Sequence, residues 1–194
     1  MNDAAIILTK NNILQKVSQL LQSVQNEMVE IVNSDLDLKN AEVFTIHPKI
    51  SKGENYEGLP YLILDYPRAF DHQNIFVVRS MFWWGNFFSS TIQLSGKYKS
   101  LFKERIVSNY NQLSSQNFFI GINKDPWIHH FNPNNYKPIK EINEEDFEKI
   151  YDEIPQIKIA AKCPLSLWTG AANIFLENWM LFINLTKDQL LPKR

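Results

Sequence analysis

One cysteine in 194 residues, Cys163 followed by Pro164, leaves no partner for an internal disulfide. Such a chain is built for a reducing compartment, and a cytoplasmic location is expected. Glycine is scarce as well, at six residues. None falls in Gly-x-Gly-x-x-Gly, phosphate-loop or Gly-x-Ser-x-Gly spacing, so nucleotide-binding and serine-hydrolase readings lose their main support. Excess charge is missing too: 20 basic and 21 acidic residues leave a net charge of -1. Phosphate neutralisation needs clustered Lys and Arg, so no nucleic-acid partner is expected.

The four histidines, His47, His72, His129 and His130, follow no metal-ligand spacing. Structural and catalytic metal sites draw on recognisable local pairs such as His-x-x-His or Cys-x-x-Cys, so neither metal nor cofactor is expected. There is also no uninterrupted apolar run long enough for a membrane. The most apolar stretch, residues 165–185, is broken by Asn173, Glu177 and Asn178, which are expensive in lipid. The amino-terminal MNDAAIILTKNN lacks the basic segment and small-residue cleavage site of a signal peptide.

What is present is ordinary globular material, 44% hydrophobic and 21% charged, which points to one domain spanning residues 1–194 with a substantial core. Residues 12–33 carry a helical stripe: Leu14, Val17, Leu21, Val24, Met28 and Ile31 recur at spacings of three and four. Asn12 and Gln15 have the spacing of a capping box. A helix packed on its own domain is the main reading, and a homodimer through residues 12–33 is the alternative.

The middle of the chain is β-rich. Strands are expected over residues 41–47, 59–66, 117–122, 127–131 and 157–162, with SKGENYEG and residues 132–140 as loops. Residues 97–112 have helical spacing, and their Lys97, Lys99, Lys103 and Arg105 read as a solvated helix face. Asn143, followed by three acids, starts a short helix, and Ser166 opens the last one, to about residue 185. Helices at both ends and locally pairing strands between them describe an α+β fold. Its antiparallel sheet has about five to seven strands, centred on a hairpin at 75–95 and packed by the terminal helices.

The hairpin is where function is sought. In MFWWGNFF, Gly85-Asn86 reads as a two-residue turn, which pairs Trp84 with Phe87 and Trp83 with Phe88. Trp83 then enters the core, while Trp84, Phe87 and Phe82 form an aromatic cluster on the other face, covered by a helix or open to a partner. The same register sets Arg79 opposite Ile92 on the apolar face. A buried arginine needs a partner, and Asp65, on the neighbouring strand, or Glu177, on the last helix, can supply it. Arg79 is therefore a structural ion pair or an anion-binding residue in a pocket, with His129 or His130 available as a general base.

Two functional readings follow. The first is a binding or interaction module that uses Trp84 and Phe87, or a cleft beside them, for a protein or small-molecule partner. The alternative is a small enzyme, or a binder of anionic ligands, with Arg79, Asp65, Glu177, His129 and His130 around its pocket. No residue is assigned a catalytic role, and no membrane partner is expected.

Overall fold

The computed structural model describes residues 4–190. Its centre is a seven-stranded antiparallel sheet in the order β1-β2-β3-β4-β7-β5-β6. The strands are β1 (Lys49–Tyr56), β2 (Leu59–Phe70), β3 (Ile75–Trp83), β4 (Phe87–Ser95), β5 (Phe119–Gly121), β6 (Tyr136–Pro138) and β7 (Gln156–Pro164). The helices are α1 (Ala4–Ser34), α2 (Leu36–Asn40), α3 (Gly96–Ser108), α4 (Tyr110–Ser115), α5 (Glu144–Glu153), α6 (Ala171–Asn184) and α7 (Lys187–Leu190). This is the expected α+β architecture, with α1 and α6 packed on one face of the sheet. No helix among the described residues is long and apolar enough to cross a membrane.

The stripe on α1 does what its spacing predicts. Val17, Leu21, Val24 and Met28 are buried in the main core, where Val32 joins them, and Leu14 and Ile31 pack against it half-buried. The helix also begins by Ala4, which puts Asn12 and Gln15 in its interior rather than at its start. Residues 4–8, Ala-Ala-Ile-Ile-Leu, lack any breaker that would stop it later.

Several local expectations are overturned. Residues 41–47 form no strand: the Asp35 carboxylate accepts from the N–H groups of Asp37 and Leu38 and caps α2, and a 3-10 turn follows at Glu42–Phe44. Alternation over so few residues does not separate a strand from a turn of helix that buries Val43 and Phe44. SKGENYEG is mostly β1, a polar edge strand paired with β2, and polarity is how edge strands avoid further pairing. Residues 127–131 lie outside any strand, whereas the expected loop at 132–140 contains β6. Pro67 does not end β2, which continues to Phe70 across a register shift between Asp65 and Arg68. The helix expected from Ser166 starts at Ala171, as α6, after a 3-10 segment at Leu165–Gly170.

Other local signals hold. The Asn143 side chain accepts from the Asp146 N–H, and three acids occupy the first turn of α5. Of the basic residues of α3, Lys97 and Arg105 are exposed as expected, while the other two face the far end of α5. Lys99 donates to the carbonyls of Asp152 and Ile154, and Lys103 pairs with Glu148 and Asp152. They satisfy a helix C-terminus and its acids rather than lying free in solvent.

The β3–β4 register is the consequential correction. Trp83 pairs with Phe87, and Phe82 with Phe88. The turn is closed by the Asn86 N–H donating to the Trp83 carbonyl, with Trp84 and Gly85 as its central residues and Gly85 at φ +69°. A turn with positive φ at its third residue requires glycine there. The loop thus holds three residues rather than two, and a one-residue slip exchanges the faces of a whole strand. Phe76, Val78, Phe82, Phe88, Ile92 and Leu94 face the helices in the main core. Val77, Arg79, Met81, Trp83, Phe87, Ser89, Thr91 and Gln93 face the other way.

Candidate functional site

The second face of the sheet is covered by the strap between β5 and β6, residues 122–135. It carries polar residues where a sheet usually carries apolar ones. Arg79 and Asp65 are directly opposed on β3 and β2. They form a bidentate pair, Nε to Oδ1 at 2.8 Å and Nη2 to Oδ2 at 2.9 Å, with Arg79 only 8% exposed. Arg79 Nη1 lies 3.2 Å from His129 Nε2. A guanidinium only donates, so Nε2 accepts and the His129 proton sits on Nδ1. Burial first, and the Arg79 charge second, push the His129 imidazole down to about 3. The ring is neutral at physiological pH.

Three further side chains bind the strap from below. Lys158 on β7 is fully buried, and its ammonium donates to the carbonyls of Ile128 at 2.7 Å and Asp125 at 3.4 Å, with Asn135 Oδ1 at 3.5 Å. No carboxylate faces it at ion-pair distance among the described residues. Burial pushes it down to about 8, against a smaller opposing effect of Asp125. Its chain crosses Gly121, where an added Cβ would come within 3.1 Å of the Lys158 side chain. Tyr56 accepts at its hydroxyl from the backbone N–H groups of His129 (2.7 Å) and His130 (3.0 Å). Asn135, also fully buried, donates to the carbonyls of Ile128 and His130. Backbone polar groups turned away from water must be satisfied, and Lys158, Asn135 and Tyr56 do this for the inner side of the strap.

The expected site residues are thus divided. Arg79, Asp65 and His129 come together. His130 is adjacent but turns to Glu57, at 3.6 Å. Glu177 is exposed on α6, on the other side of the sheet. That helix packs on the core face, where Phe175 meets Phe88 and Asn178 donates to Ser90. The sheet itself separates Glu177 from Arg79. Phe87 also leaves the expected cluster. It packs on Trp83 and Phe131 on the strap face, whereas Trp84 touches Phe82 at the edge of the helix face. Trp83 is buried, but in a small separate cluster with Ile63 and Met81.

A groove of about 730 Å³ lies beside α6 with Glu177 in its lining, and two smaller open ones meet at Trp84. Its N–H donates to the Pro60 carbonyl at 3.0 Å, and the Asn86 amide donates to its carbonyl at 2.8 Å, which fixes the backbone of the turn. On one side of the indole lies a groove of about 500 Å³ lined by Ile13, Lys16, Phe82, Gly85, Leu165 and Trp168. On the other side a second groove, of about 440 Å³, is lined by Ala5, Ile6, Thr9, Lys10 and Pro60. Trp84 is a wall of both. Arg79 lines neither of them, nor the two further grooves beside α6.

Sequence reasoning missed Lys158, Tyr56, Asn135, Lys16 and Trp168. Lys158 carried a signal, a lone lysine in the apolar run Ile157–Ile159. Asn135 is placed by the fold of the strap, through His130 and Ile128, and the other three only by contacts distant in sequence. Comparison with protein-family models and with curated proteins yields no match to this chain.

Proposed function

We propose that this chain is a single-domain cytoplasmic binding protein that takes a small apolar molecule into the groove between Trp84 and Trp168. The observation that carries the reading is the position of Trp84: held outside the strand ladder by hydrogen bonds from its backbone N–H to Pro60 and to its carbonyl from the Asn86 side chain, it walls two grooves instead of filling the core. Ligand sites are concave, largely apolar and of about 300–1,000 Å³, with few polar groups. The 500 Å³ groove has five apolar side chains and one lysine. A catalytic role for Arg79 has less support, because its guanidinium is occupied by Asp65 and His129 beneath the strap.

The test uses N-phenyl-1-naphthylamine, a neutral apolar dye, titrated into the protein while the quenching of its indoles is followed. Trp84→Ala and Trp168→Ala are each expected to weaken binding about tenfold or more, at some cost in thermal stability because each half-buried indole packs on a buried ring, Phe82 and Phe88 respectively. Unchanged affinity in both variants, or no binding to the wild type, refutes the reading.

A further inference from the structure

We propose that the molecule held in the Trp84 groove is an amphiphile with an anionic head, its apolar body against Trp84 and Trp168 and its head on the Lys16 ammonium. The inference rests on the groove being a ligand site and adds the chemistry of the ligand.

The distribution of charge supports it. Lys16 is the one charged residue lining the larger groove. The second groove also has one, Lys10, but that ammonium is already neutralised by Glu54 at 2.6 Å. Lys16 makes no ion pair among the described residues. From residue 4 to residue 26, α1 carries no acid, so its own helix offers none within a turn or two. The groove is thus apolar along its walls and uncompensated positive at its mouth. An exposed lysine lays its methylenes on apolar surface and keeps the ammonium in water, the geometry that meets an amphiphile at the junction of chain and head. Gly85, also in the lining, stands beside open space: apart from its chain neighbours no atom lies within 4 Å of where a side chain would begin.

A free molecule fits better than a lipid surface. The exposed apolar residues at the start of α1, Ile6, Ile7 and Leu8, are 67%, 62% and 61% exposed. Consecutive helical residues point about 100° apart, so they make no common face to lie on a bilayer, and Ile6 is already a wall of the second groove.

The test compares dodecanoate with dodecanol, below the micellar concentration of the first. Each is titrated directly by tryptophan fluorescence and then as a displacer of N-phenyl-1-naphthylamine. Dodecanoate is expected to bind about tenfold more tightly than dodecanol. Lys16→Met should abolish that preference, Lys16→Glu should reverse it, and Lys10→Met, outside this groove, should leave it intact. If the dye binds in a Trp84-dependent way but the two ligands bind equally, or the preference survives in Lys16→Met, the head-group assignment falls while the groove reading stands. If neither dye nor ligand binds, both fall. Cosedimentation with phosphatidylglycerol vesicles, without binding of monomeric dodecanoate, overturns the free-ligand proposal in favour of a membrane surface.

Discussion

His129 gives the sharpest test of the strap. Its imidazole accepts from Arg79 and must stay neutral, so its value falls from 6.5 to about 3 on folding. A base whose folded value is depressed takes up its proton in the unfolded chain first. The stability it contributes is therefore complete above about 6.5 and is lost progressively as pH falls toward 3. At 1.36 kcal/mol per unit the whole swing is ~5 kcal/mol, of which about 2 kcal/mol falls between pH 7 and pH 5. Solvent reaches part of the ring, which lowers that loss to about 1–2 kcal/mol, or roughly 2–8 °C in Tm for a chain of this size. The window is clean on the acid side. Asp35, Glu54 and Asp71, whose carboxyls sit below their ordinary values through hydrogen bonds to Lys187, to Lys10 and to Asn74 respectively, lose their contributions only below about pH 4.5. Urea unfolding at pH 7, 6 and 5 measures the effect, with His129→Gln as the comparison, because glutamine retains an acceptor for Arg79 without titrating. The wild type is expected to lose stability across this range and the variant to lose less by the stated amount. Equal losses in the two proteins would refute a neutral, buried His129.

The alkaline side tests Lys158, whose folded value of about 8 lies below the ordinary 10.5. Deprotonation is easier in the folded state, so stability should rise with pH through this interval, by about 1 kcal/mol between pH 7.5 and 9. Lys158→Met should lack that rise in denaturant titrations, and a rise of equal size in both proteins would contradict the assignment. The Asp65–Arg79 pair makes a third test. Asp65→Asn leaves a buried guanidinium without its carboxylate and should lower unfolding free energy by about 3–5 kcal/mol, whereas Asp65→Leu combined with Arg79→Met should lose less than either single replacement. Additive losses in that double-mutant cycle would show that the two side chains do not act as a pair.

Much of this molecule was readable from one-dimensional pattern. The α1 stripe, the Asn143 cap, the hairpin around Gly85 and the α+β arrangement all follow from periodicity and local hydrogen bonding, which are properties of neighbouring residues. Arg79 also stood out, and Asp65 was available as its partner, because a charge inside a strand of apolar residues is conspicuous wherever the strand lies. The division of the sheet into a helix face and a strap face was beyond that reach. It turns on whether Gly85 is the second or the third residue of its turn, and one residue of register sends every side chain of β4 to the opposite side.

That single step separated Trp84 from Phe87, set Arg79 beside Thr91 instead of Ile92, and left Glu177 on the far side of the sheet. The strap that covers Arg79 and Lys158 could not be foreseen either. Its backbone is held by Tyr56 and Lys158, dozens of residues away in the chain, and the local pattern at 127–131 suggests a strand instead. Sequence alone determined α1, the cap of α5, the central hairpin and the need of buried Arg79 for a partner. Tertiary structure decided which partner it found, because strand register and the closing of distant segments are set by packing across the whole sheet.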